Sequence, residues 1–133
     1  SAINAVTSAD VTALIAEIGK CIPLSSEDEI DRLTAISGSG PGYIFEVMRS
    51  YVAAAKSIGF DDETARNLVF DTIAGTVETA RQSTDTLEEL RNSVTSNNGT
   101  TQAGLAELMR GGALDALFQK TVQAACKRAA ELK

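Results

Sequence analysis

Apolar residues recur every three or four positions along almost the whole of this chain, and that period limits its fold more than any other feature. Val11, Leu14, Ile15 and Ile18 share one face of a helix from about Ala9, capped by Thr7 or Ser8 and ended by Gly19. Ile44, Val47, Met48, Tyr51 and Val52 mark a second helix over Tyr43–Ile58, closed by Gly59. A long helix from Asp61 or Asp62 to about Arg81 carries Ala65, Leu68, Val69, Thr72, Ile73 and Thr76 inward. Thr84 or Asp85 opens a shorter one through Leu87, Leu90 and Val94, and another passes Leu105 and Leu108. Gly111-Gly112 then breaks the pattern before a last helix with Leu114, Leu117, Phe118, Thr121, Val122 and Ala125 on one side. Only Cys21-Ile22-Pro23-Leu24 is short enough for a strand, and Pro23 confines it to an edge. The expectation is an all-α bundle of six or seven helices.

Composition narrows the functional classes. Hydrophobic residues make up 44% of the 133 positions, enough for a packed interior, while aromatics are only 5%. Small and β-branched residues therefore dominate the buried faces, which lets helices approach closely. The net charge of −6 without a basic run argues against nucleic acid as a partner. There is no histidine, so a histidine-based triad is excluded and no metal site is expected. Cys21 and Cys126 are too few and too far apart for a disulfide framework, and both read as small core residues. No run approaches the length of a membrane span, and no signal peptide is evident. A cytoplasmic location is expected.

Two punctuated segments stand apart from the helices. Ser37-Gly38-Ser39-Gly40-Pro41-Gly42 sets small residues and a proline just ahead of a helix start, where free N–H groups favour negative charge. Thr95-Ser96-Asn97-Asn98-Gly99-Thr100-Thr101 has the same construction. Each can be an anion-binding helix start, and each can equally be a tight connection, with Ser39 as the cap of the first. Gly38-Ser39-Gly40 lacks the third spaced glycine and the preceding strand of a dinucleotide fingerprint. Glu27-Asp28-Glu29 and Glu88-Glu89 read as solvated helix faces.

Read together, the segments resemble a known family. Asp31-Arg32-Leu33-Thr34-Ala35-Ile36-Ser37-Gly38-Ser39-Gly40-Pro41-Gly42-Tyr43-Ile44-Phe45 is similar to the D-x-x-T-A-x-S-G-S-G-P-A-Y-x-F stretch of pyrroline-5-carboxylate reductases. Leu90 to Leu105 is similar to their L-(R/K)-x-x-V-(T/S)-S-P-G-G-T-T-x-x-(A/G)-L signature, and Gly111-Gly112 matches the glycine pair that follows. Asn97-Asn98 stand where the family usually has Pro-Gly, and Gly42 replaces an alanine.

The resemblance implies a helical dimerisation domain like the C-terminal domain of 6-phosphogluconate dehydrogenases, over residues 26–133. Residues 1–25 would be the remnant of an α/β cofactor domain, a helix plus a short strand. The implied activity is reduction of 1-pyrroline-5-carboxylate to proline with NADPH or NADH, in a homodimer or an assembly of dimers. Ser96 and the N–H groups of Gly99, Thr100 and Thr101 would hold the substrate carboxylate. The Thr101 hydroxyl would serve catalysis at the ring nitrogen, and Thr34, Gly38 and Ser39 would line the cofactor side. A free-standing helical interaction module, or a related imine- or ketone-reducing dehydrogenase, is the competing reading.

Overall fold

A computed structural model of the chain describes residues 8–17, 22, 24 and 26–132. Among these residues seven α-helices follow in order: α1 (Ser8–Ala16), α2 (Glu27–Leu33), α3 (Gly40–Ser57), α4 (Asp62–Gln82), α5 (Leu87–Ser93), α6 (Thr100–Leu108) and α7 (Ala113–Glu131). A π-turn at Thr34–Gly38 joins α2 to α3, and a 3₁₀ turn at Arg110–Gly112 joins α6 to α7. Expectations at Thr7, Ile18, Gly19, Cys21 and Pro23 lie outside the described residues. Ile22 and Leu24 stand in irregular backbone, since a strand forms only where a neighbour can take its backbone hydrogen bonds. No strand occurs among the described residues.

Local chemistry sets the helix boundaries. Ser26 caps α2 by accepting the Glu29 N–H, and Asp61 caps α4 by accepting the Thr64 N–H at 2.9 Å. Gly59, at φ 109°, ends α3 in a conformation that side chains rarely adopt. The short link to Asp61 folds α4 back along α3, and Lys56 and Asp62 pair across it. Gly111 and Gly112 are both left-handed, at φ 60° and 68°, so α6 cannot continue into α7. The cap of α5 is Thr86, later than the expected Thr84 or Asp85. A full capping box explains the shift: Thr86 accepts the Glu89 N–H, and Glu89 accepts the Thr86 N–H at 2.8 Å.

Two packed units result. α3 lies against α4, while α7 lies on α2 and the π-turn. Among the described residues the buried apolar side chains are Ala35, Ala65 and Val69. Part of the expected inward set is on the surface: Leu68, Thr72 and Thr76 of α4 are exposed, as are Leu117 and Phe118 of α7. α3 covers one side of α4, leaving Leu68, Thr72 and Thr76 exposed. Cys126 is half-buried on α7 and free.

Candidate functional site

The two singled-out segments occupy different parts of the fold. Ser39 donates its N–H to the Thr34 carbonyl at 2.9 Å, an i to i+5 bond that makes the π-turn. Such turns insert one extra residue into a helix, and they concentrate at functional sites. The turn draws Thr34, Gly38 and Ser39 together; a methyl added to Gly38 would stand 3.3 Å from the Thr34 methyl. Ser39 precedes α3 but makes no side-chain cap, which leaves its hydroxyl available. Pro41 sits in the first turn of α3, as its sequence position indicates.

The second segment is a four-residue turn ahead of α6. Gly99 donates its N–H to the Ser96 carbonyl at 3.1 Å. Asn98 at φ 58° is the one described non-glycine residue with a positive φ. That is the third position of the turn, where Gly or Asn is required if the backbone is left-handed. The Gly99 N–H is thus committed to the protein, whereas those of Thr100 and Thr101 have no protein acceptor. These two open N–H groups lie at the start of α6, the end that attracts anions.

Thr101 borders a cleft of about 580 Å³ between α4, α5 and α6, with Thr72, Thr76, Leu90, Arg91 and Leu105 among its walls. The hydroxyls of Thr72 and Thr76 each donate to the carbonyl four residues earlier, at 2.7 Å, and Thr79 does the same at 2.9 Å. Thr101 makes no such bond, so its hydroxyl is the uncommitted one among the cleft threonines. Arg91 is compensated by Glu88 at 3.2 Å. Sequence reasoning missed this threonine ladder as a cleft wall because it took Thr72 and Thr76 for core. Their spacing of four, with the carbonyl bonding it permits, was the available signal. The π-turn packs on α2, α3 and α7, and Thr101 faces α4 and α5, so the two segments belong to separate surfaces of the chain.

Residues 27–132 match the family described as pyrroline-5-carboxylate reductase dimerisation. The chain belongs to that family. It is 39% identical to pyrroline-5-carboxylate reductase of Pseudomonas aeruginosa over 90% of its length, covering 43% of that protein. It is 38% identical to pyrroline-5-carboxylate reductase 2 of Bacillus subtilis, over 91% of the chain and 43% of the relative. Among solved structures, a pyrroline-5-carboxylate reductase from Coxiella burnetii superposes with a TM-score of 0.86 at 37% identity, covering 98% of this chain and 49% of that one. The Plasmodium falciparum pyrroline carboxylate reductase with NADP bound gives 0.81 at 31% identity, with 97% and 49% covered. The chain therefore spans less than half the length of the curated relatives it matches.

Membership in the dimerisation family makes sense of two local departures. Pro-Gly at positions 97 and 98 would suit a turn with a left-handed third residue, and Asn98 adopts that conformation without glycine. Gly42 has no atom within 4 Å of an added methyl, so the usual alanine would fit there.

Proposed function

We propose that this chain is the dimerisation and substrate-holding part of a cytoplasmic enzyme that reduces 1-pyrroline-5-carboxylate to proline. In this reading residues 1–25 belong to the end of a cofactor domain. The observation that carries the proposal is the start of α6. There, two uncommitted N–H groups and one uncommitted hydroxyl, that of Thr101, occur together beside a cleft.

A cyclic imino acid presents two features such a site can hold. Its carboxylate takes the Thr100 and Thr101 N–H groups, assisted by the Ser96 hydroxyl, while the partial positive charge of the helix start adds to the attraction. Gly99 contributes space, because its own N–H is already used by Ser96. The ring nitrogen accepts a hydrogen bond from the Thr101 hydroxyl, which polarises the C=N bond. As hydride arrives at carbon, the nitrogen takes a proton through that hydroxyl, and solvent replaces it at this exposed position. NADPH or NADH, when bound, supplies the hydride. Thr34, Gly38 and Ser39 would line the nicotinamide side, where the π-turn brings the Thr34 side chain against Gly38 and next to Ser39. Because that turn and Thr101 lie on separate surfaces of one chain, a second subunit or another domain must bring the reactants together.

In the full-length protein, Thr101→Ala is expected to lower kcat on the order of a hundredfold with an unchanged elution volume. An unaltered kcat would remove Thr101 from the reaction. Failure of the unmutated protein to reduce 1-pyrroline-5-carboxylate would sink the whole reading and leave a helical assembly unit.

A further inference from the structure

The turn ahead of α6 carries a contact that its sequence pattern does not advertise. Gln102 reaches back from the first turn of α6, and its side-chain oxygen accepts the Asn98 N–H at 2.7 Å. Asn98 holds a left-handed backbone at φ 58°, a conformation that asparagine reaches more readily than most residues but less freely than glycine. Gly99, the cap residue of α6, makes no side-chain cap of its own. The N–H one residue beyond Asn98, at Gly99, is bonded to the Ser96 carbonyl, and Ala103 returns its N–H to the Gly99 carbonyl at 3.2 Å. Every backbone donor from Asn98 to Gly99 is thereby tied to the protein, and the next two, at Thr100 and Thr101, are left open.

We propose that Gln102 is a positioning residue: its side-chain amide clamps the left-handed Asn98 turn and so aims the Thr100 and Thr101 N–H groups at the substrate carboxylate. This role rests on the reading of the site given above. A turn of this shape is ordinarily set by its backbone, with proline fixing φ at the second position and glycine permitting φ above zero at the third. Here both positions are asparagine: Asn97 does not fix φ as proline would, and Asn98 tolerates the left-handed backbone less freely than glycine. The Gln102 clamp takes their place.

The test uses the full-length protein with 1-pyrroline-5-carboxylate as substrate. Gln102→Ala is expected to raise KM about three- to tenfold, the value of one hydrogen bond, with kcat within about twofold. Hydrogen exchange, read on a peptide spanning 97–101, should quicken in the same variant. Asn97→Pro with Asn98→Gly, added to Gln102→Ala, should restore both KM and protection by rebuilding the turn from its backbone. An unchanged KM in Gln102→Ala would overturn the role while leaving the enzymatic reading intact. A raised KM that Pro-Gly does not repair would overturn it too, because Gln102 would then be acting on the substrate directly. An unmutated protein without activity would overturn the reading and this role together.

Discussion

Gly42 and Gly99 both lie at helix starts, yet the fold needs only one of them. Gly99 has φ −83°, open to any residue, so its requirement is spatial: an added methyl would overlap the Ser96 hydroxyl and sit 3.1 Å from the Ser96 carbonyl. Gly42 lies in α3 with open space where the methyl would go. Gly99→Ala should therefore destabilise the protein by about 1 kcal/mol or more and raise KM, whereas Gly42→Ala should stabilise it by about 0.5–1 kcal/mol. Urea denaturation of both variants decides this, and equal shifts in one direction would refute the contrast. At this scale the resemblance pointed to Thr101 and its hydroxyl, but nothing in the sequence said why that hydroxyl is uncommitted. A threonine inside a helix can bond the carbonyl four residues back, as Thr72 and Thr76 do. Thr101, in the first turn, has only irregular backbone behind it, and no residue pattern displays that difference. Gln102 was invisible for a related reason: its partner depends on the unusual φ of Asn98.

Helices were legible wherever the apolar period met a boundary residue, as with Gly59 after α3, Asp61 before α4 and Gly111-Gly112 before α7. The π-turn was not, because an i to i+5 bond has no residue signature, and Thr34–Ile36 reads as ordinary helix until the bond is seen. The cap of α5 was displaced because Thr84, Asp85 and Thr86 are all good caps; the reciprocal bond from Glu89 selects Thr86. These caps carry a pH dependence. Hydrogen bonds from the Thr86 N–H, and then from its hydroxyl, hold the Glu89 carboxyl below its ordinary 4.5. The Thr64 N–H and then its hydroxyl hold Asp61 below 3.8. Since both are depressed in the folded state, their stabilisation is complete above the ordinary values and fades as pH falls through the lowered ones. Helical circular dichroism should therefore begin to decline below about pH 4.5. Glu89→Gln, which has no charge to lose, should flatten the early part of the decline. Superimposable acid transitions would show that the α5 box does not contribute.

At the scale of the whole molecule, the chain exposes more than a single folded unit should. Much of the surface of the described helices is apolar: Phe45 is 69% exposed and Leu117 62%, with Ile44, Val47, Tyr51, Leu68 and Val77 also uncovered. The period marked α3, α4 and α7 as amphipathic, but periodicity identifies a face and cannot say which chain covers it. Those faces therefore read as one bundle's interior when a single chain buries so few of them. The isolated chain is expected to scatter light as a dimer, at twice 13.9 kDa, at micromolar concentration. Phe45→Asp, placing a charge in the exposed stripe of α3, should shift it toward a monomer of reduced helicity, since burying an unpaired carboxylate is unfavourable. A stable, fully helical monomer of the unmutated chain would mean that the exposed stripes serve some purpose other than pairing with a second copy. The need for another subunit to complete the site would then fall on the cofactor domain alone.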